Sequence, residues 1–213
     1  MRLLTLEFQA LGPFPERHKI DFTKFEPSGL YLLKGQTGSG KSTIIDAITF
    51  ALYGRVAGGS TSTMQRLRSN HADRNTDTFV RLRFETSHGT FEVVRRPTYI
   101  KEGNKTETPG TATLVKITQP TSSTGEGDSL FGNSGTEGSE EIATGVTSVD
   151  NAIPEIVGLG LNQFLQTVVL PQGKFANFIH SRPIERKDLL EEIFGTEHFR
   201  RFTESLRQQS REA

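Results

Sequence analysis

Gly35-Gln36-Thr37-Gly38-Ser39-Gly40-Lys41-Ser42-Thr43 fits the phosphate-binding pattern G-x-x-x-x-G-K-[ST] without a mismatch. Its flanks fit as well. Leu30-Tyr31-Leu32-Leu33 reads as a short buried strand. Ser42 to Tyr53, with Ile44, Ile45, Ala47, Ile48, Ala51 and Leu52, reads as an apolar helix that stops at Gly54 in a left-handed cap. Strand, glycine loop and helix are the context in which the motif carries chemistry. Gly38 and Gly40 permit backbone angles that a Cβ forbids, so successive N–H groups can turn inward around a phosphate. The helix aims its free N–H groups and positive dipole end at the same anion. In this pattern Lys41 reaches the β- and γ-phosphates and the Ser42 hydroxyl holds Mg²⁺. The stretch predicts binding of a nucleoside triphosphate with magnesium.

The remaining composition sets limits. At 213 residues the chain is long enough for one large domain, but its 33% hydrophobic content is low, so part of the length is expected outside the core. There is no cysteine, which excludes disulfides and thiolate metal sites. The N-terminus is too short and too alternating for a signal peptide, and no apolar run has membrane-spanning length. A soluble, cytoplasmic protein without a membrane partner is expected. The zero net charge hides an asymmetry: residues 54–100 carry eight Arg or Lys against four acids, and residues 101–150 three against eight. A basic arm can steer toward nucleic acid, although arginines on a half-exposed sheet are also its ordinary solvated face.

Taken in order, Leu4, Leu6 and Phe8 alternate with polar neighbours, Gly12-Pro13-Phe14-Pro15 turns the chain, and His18, Ile20 and Phe22 alternate again, which predicts a β-hairpin. Phe25 to Gly29 reads as a turn and Gly58 to Thr63 as a flexible loop. Val80, Leu82 and Phe84 mark one strand face, with Arg81 and Arg83 on the other. Phe91 to Arg95 and Ala112 to Thr118 complete an antiparallel meander. Such a meander is unlike the βα alternation that follows a phosphate loop in a small kinase or GTPase. Gln119 to Glu141 is low in complexity and is expected to be disordered or a variable insertion. Val149, Ala152, Ile153, Ile156 and Val157 have helical spacing with Gly158 as stop, and a short helix starts at Leu161. Val168-Val169-Leu170 reads as a buried strand, Ile184 to Phe194 as a helix, and Phe199, Phe202 and Leu206 as the stripe of a last one.

Three stretches stand out together: Gly35 to Thr43 with the helix ending Phe50-Ala51-Leu52-Tyr53-Gly54, then Leu170-Pro171-Gln172-Gly173-Lys174-Phe175-Ala176-Asn177-Phe178, then Arg182-Pro183-Ile184-Glu185-Arg186 continuing to Glu197. In combination they resemble the SbcC family, the ATPase subunits of bacterial SbcC–SbcD nucleases, and more widely the ABC-type heads of SMC and RecF relatives. The likeness covers most of the chain except roughly residues 101–144. It implies an α/β P-loop NTPase of ABC-ATPase type. The N-terminal lobe would span residues 1–195, with an antiparallel β-subdomain and a low-complexity insertion about 101–146, and residues 196–213 would be the root of a coiled coil. By the same resemblance, Gly35, Gln36, Thr37, Gly38, Ser39, Gly40, Lys41, Ser42 and Thr43 hold ATP. Lys41 and Gln172 serve catalysis, Ser42 and Gln172 bind Mg²⁺, and Asn70 and His71 touch the adenosine. A neutral carboxamide suits Gln172, since it offers an oxygen to the metal without adding charge.

Hydrolysis by such a head also needs a signature loop, a Walker B aspartate and a catalytic glutamate. No hydrophobic run of four ends in Asp-Glu; the nearest acidic pair, Glu191-Glu192, lies on an amphipathic helix, and Ser60 and Ser134-Gly135 lack the signature motif. The resemblance therefore implies half a head. Its partners would be the C-terminal lobe of the same parent chain, a second SbcC head dimerised by ATP, an SbcD-type metallophosphoesterase nuclease, and DNA. Arg81, Arg83, Arg95 and Arg96 are the candidates for DNA-backbone contacts. Two other readings stay open: an SMC-like nucleotide-gated clamp without a nuclease, and a self-sufficient small P-loop kinase, which the meander and the missing motifs disfavour.

Overall fold

The structure, a computed structural model, describes residues 1–25, 32–56, 67–73, 75–100, 107–118 and 138–169. The chain divides into two compact units, Met1–Gly158 and Leu159–Ala213. The first begins with the predicted hairpin, β1 (Arg2–Leu11) and β2 (Phe14–Asp21), followed by a 3₁₀ turn at Phe22–Lys24. Helix α1 (Lys41–Tyr53) comes next, then the predicted meander: β3 (Phe79–Thr86), β4 (Gly89–Arg96) and, after a two-stranded flap of β5 (Tyr99–Ile100) and β6 (Glu107–Thr108), β7 (Thr111–Ile117). Strand β8 (Ser139–Thr144) and helix α2 (Val146–Val157) complete it. The main sheet runs β2-β1-β3-β4-β7-β8 and every pairing in it is antiparallel.

The register puts the apolar positions on one face. Leu6 lies opposite Leu82, Leu82 opposite Val93, Val93 opposite Leu114, and all four are fully buried. Phe8, Val80, Phe84 and Phe91 extend this face, with Phe84 and Phe91 stacked at 5.9 Å. Helices α1 and α2 cover it, burying Ala47, Phe50 and Ala51 from one and Val149 and Ile153 from the other. A period of two on the strands and 3.6 on the helices brings these residues to one interface.

Arg95 has the same parity as Phe91 and Val93 and therefore points into this core, where it is 1% exposed. Its guanidinium donates from Nε to Ala51 O (2.8 Å) and from Nη2 to Leu52 O (2.9 Å), while Nη1 lies 2.6 Å from Asp150 Oδ1 on α2. Two carbonyls of the last turn of α1, which have no partner inside the helix, are thus satisfied by a cation at the negative end of the helix dipole. Burial pulls the guanidinium's pKa below its ordinary value, and Asp150 opposes that shift. Gly54 closes the helix in the left-handed conformation (φ 64°), as expected, and its Cα abuts the same guanidinium.

The opposite face of the sheet carries charge. Glu7, 6% exposed, bonds the Arg17 guanidinium and lies 3.5 Å from Arg81; Glu92 takes Arg83 at 2.9 Å and Arg81 at 3.8 Å. Arg96 lies 3.6 Å from Asp77. Of the four meander arginines that are candidates for a nucleic-acid backbone, Arg81, Arg83 and Arg96 are ion-paired on this face, and Arg95 is not on the surface at all. An alternating lattice of guanidinium and carboxylate groups cancels the field that a basic stripe would project.

Three other expectations are corrected. Leu32 and Leu33 lie outside any strand and are 93% and 50% exposed, so the buried strand read over Leu30–Leu33 is absent at these residues; Leu30 and Tyr31 lie outside the described residues. A buried strand needs ladder neighbours on both sides and cover on both faces, and among the described residues no strand pairs with 32–33. Ser139–Glu141, the end of the stretch expected to be disordered or a variable insertion, are not disordered: they belong to β8, where Glu140 lies opposite Lys116 and the backbone ladder supplies what the apolar content does not. Finally, in the second unit α3 (Leu161–Thr167) forms as expected, but Val168 and Val169 continue its end. Both amides donate to Phe164 O, at 2.9 and 3.0 Å, so they are not presented to a β-ladder. Leu170, Gln172 and the helices read after residue 180 lie outside the described residues.

Two stability predictions come from this core. Arg95→Met should cost about 2–4 kcal/mol in urea unfolding, because it leaves two buried helix carbonyls without their donor while the half-exposed Asp150 returns to water; a loss below about 1 kcal/mol would show that the contact is incidental. Burial also pushes the Tyr53 phenol up from its ordinary value. The unfolded chain then loses a proton near pH ~10 that the folded chain keeps, so stability must fall as pH rises beyond that point. Tyr53→Phe should flatten this alkaline slope in pH-dependent melting, whereas an unchanged slope would place the titration elsewhere.

Candidate nucleotide site

Residues 35–39 are exposed and lead into the N-terminus of α1. The loop's internal geometry follows its glycines. Gly38 (φ 83°) and Gly40 (φ 85°) are both left-handed and flank Ser39, whose amide turns back to Gln36 O at 3.2 Å. Alternation of this kind makes successive amides converge on one side, the concave arrangement that accepts anions. A Cβ on Gly35 would fall 2.6 Å from Ser39 Oγ, so a larger residue there would have to turn that hydroxyl aside. Around Gly38 a Cβ would meet nothing, which leaves that side of the loop open to a ligand.

Gly40 is the N-cap of α1 and supplies no side-chain hydrogen bond. The first amide bonded along the helix is that of Ile44, to Gly40 O at 3.3 Å, so the amides of Lys41, Ser42 and Thr43 lie outside the helical ladder, as the first amides of any helix do. Lys41 folds its ammonium over the loop, donating to Gly35 O at 2.7 Å and to Gln36 O, with Ser39 Oγ at 3.4 Å. The one cation of the motif is thus held against its carbonyls, in a position it can leave when phosphate oxygens offer stronger, charge-assisted bonds. Ser42 is exposed on the first turn, and Thr43 is half-buried. All nine loop residues from Gly35 to Thr43 are therefore brought together; Gln172 lies outside the described residues.

Asn70 and His71 are exposed on a short segment held by Arg68. That side chain donates to Thr76 O and Thr78 Oγ1, both at 2.6 Å, and to Asp73 O at 2.8 Å, and lies over the Tyr99 ring at 4.7 Å. The segment is tied to the end of β1 through Ser69 N–H to Ala10 O (2.8 Å) and Gly12 N–H to Leu67 O (2.9 Å). No hydrogen bond among the described residues joins Asn70 or His71 to the phosphate loop.

One feature of the site is not foreshadowed by the sequence. The tip of the β1–β2 hairpin lies directly on the loop: a Cβ on Gly40 would fall 2.5 Å from Phe14 Cζ and 2.9 Å from Pro13 Cγ, and one on Gly12 would fall 2.8 Å from Thr43 Cγ2. The run Gly12-Pro13-Phe14-Pro15 announces a turn, but nothing in its spacing ties it to residue 40. Among the described residues no group of three or more His, Cys, Asp or Glu is placed to hold a metal ion. No described helix is long and apolar enough to cross a membrane.

The family described as AAA domain matches residues 5–213. The chain is 35% identical over 210 residues to the SbcC component of the SbcCD nuclease of Vibrio cholerae serotype O1, covering 97% of this chain and 19% of that protein. It is 34% identical over 214 residues to the same nuclease component of Staphylococcus aureus strain JH9, covering 98% and 19% respectively. The chain thus spans about a fifth of the length of the curated relatives it matches. With a phosphate loop of this form at the head of α1 and a family match that covers nearly all of the sequence, the chain belongs to the AAA-domain family.

Proposed function

We propose that this chain is the ATP-binding half of an SbcC-type ATPase head of ABC architecture. The observation that carries the reading is the loop geometry: left-handed Gly38 and Gly40 deliver the Lys41 ammonium onto an open, exposed loop at an uncapped helix N-terminus. The likeness to two proteins named as components of the SbcCD nuclease supports the choice of family branch. Gly35 to Thr43 would hold the triphosphate through backbone amides and Lys41, with Ser42 and Gln172 on the metal. Bound Mg²⁺ would neutralise charge on the β- and γ-phosphate oxygens. Asn70 and His71 remain candidates for the adenosine edge.

Half a head accounts for an otherwise unfavourable surface. Leu32, Leu33 and Ile45 are 93%, 50% and 44% exposed beside the loop, apolar area that a complementary lobe would take out of water. That lobe would bring the Walker B aspartate, the signature loop and the catalytic glutamate, and a coiled coil would begin after Gly195. Two completed heads would close on ATP, and their closure would regulate an SbcD-type nuclease acting on DNA ends. DNA contact through the meander arginines is not part of this reading, since their acidic partners already engage them.

The test is equilibrium binding of Mg-ATP to the chain, with Lys41→Ala beside it. Weak binding that Lys41→Ala reduces by tenfold or more is expected, given about 1.5–3 kcal/mol for hydrogen bonds to a charged group. Equal affinity in the two proteins would refute the phosphate-loop assignment.

A further inference from the structure

We infer that the tip of the β1–β2 hairpin, residues 10–14, is a positioning element for the phosphate loop, with Phe14 as its principal residue; this rests on the nucleotide-binding reading above. Three independent features converge on the tip. The first is contact: bare Cα atoms meet side chains in both directions, Gly40 against the Phe14 ring and Pro13, Gly12 against Thr43. Both glycines are also left-handed, at φ 85° and 53°, so neither the conformation nor the space admits a β-carbon easily.

The second feature is strain. Ala10 is the only non-glycine residue with positive φ among the described residues (52°), and it is completely buried. It sits in a bulge where the β1–β2 register shifts between Gln9 and Leu11. Left-handed backbone at a residue with a Cβ is costly and persists only where its surroundings enforce it, commonly beside functional sites. Here the enforcement is visible: Ala10 O accepts from Ser69 N–H and Gly12 N–H reaches Leu67 O. The bulge re-aims the end of β1, and the re-aimed segment is the one that touches the loop.

The third is support for the ring itself. Phe14 packs edge-on against Phe8 at 5.4 Å and against His18 at 5.0 Å, and Phe8 is 1% exposed in the sheet core. Phe14 is thus a rigid prop between the core and Gly40, the residue whose amide and φ set the direction of Lys41. An anion site depends on amide placement to within a fraction of an ångström, so a prop at its pivot affects ligand affinity more than global stability.

The experiment measures the Mg-ATP dissociation constant, with a fluorescent ATP analogue, for the unsubstituted chain, Lys41→Ala, Phe14→Ala, Gly12→Ala, Gly40→Ala and the double variant Phe14→Ala/Gly40→Ala, alongside the unfolding midpoint of each. Phe14→Ala is expected to weaken binding by about tenfold in a chain that still unfolds cooperatively. Gly12→Ala, which pushes the tip off Thr43 without removing core volume, is expected to weaken it also and serves if Phe14→Ala fails to fold. In the Gly40→Ala background, where the added Cβ already displaces the ring, Phe14→Ala should cost little more; coupled sites are non-additive. Unchanged affinity in Phe14→Ala or, should that variant not fold, in Gly12→Ala would overturn the inference while leaving the nucleotide reading intact, as would full additivity in the double variant. Absence of Lys41-dependent binding in the unsubstituted chain would overturn both.

Discussion

A single buried guanidinium holds the scaffold of the site together. Arg95 reaches from the middle of the sheet to Ala51 O, Leu52 O and Asp150, so that one side chain joins β4, the end of α1 and the start of α2. Both ends of α1 are glycines, and neither end is closed by a side chain of its own helix. The helix is fixed from outside instead, at its C-terminal end by Arg95 and at its N-terminal end by Pro13 and Phe14. A phosphate loop is useful only if its helix is stationary, because the amides that would meet the anion are the first amides of that helix. Burying the cation is tolerable since it is matched by two carbonyls and a carboxylate, and removing it would leave the two carbonyls unmatched in the core.

Much of this was legible in the sequence, for identifiable reasons. The loop motif, α1 with its Gly54 stop, the hairpin and the meander all rest on local periodicity and on glycines that a left-handed angle demands. Position Arg95 is where parity and residue type disagree. It alternates in phase with Phe91 and Val93 but is charged, and charge argued for the surface; phase was the better guide because a long-range acid and two carbonyls awaited it. Leu30–Leu33 failed the other way. Its composition fits a buried strand, yet burial is a property of neighbours, and among the described residues none flank Leu32 or Leu33. Val168 and Val169 carry β-branched side chains that favour strands, but the Phe164 carbonyl captures their amides first.

The hairpin tip was illegible for a different reason. Glycine, proline and phenylalanine in a turn carry no record of what the turn rests on. Only the fold brings residue 12 to residue 43 and residue 14 to residue 40, and only the backbone shows that Ala10 is held in a left-handed conformation beside them. The charges tell a similar story. A count of arginines along residues 54–100 fits either a basic arm or an ordinary solvated sheet face, and the folded sheet, with Glu7 and Glu92 paired to Arg81 and Arg83, favours the second.

On this reading the chain supplies the nucleotide-holding part of a catalytic unit that groups outside it complete. Steady-state ATP hydrolysis decides the matter, measured on the chain alone and after mixing with the C-terminal lobe of an SbcC-type protein. Negligible turnover alone, with turnover appearing only on mixing, is the expected result. Sustained hydrolysis by the isolated chain would contradict it, since a base or water-positioning group would then have to lie within these 213 residues.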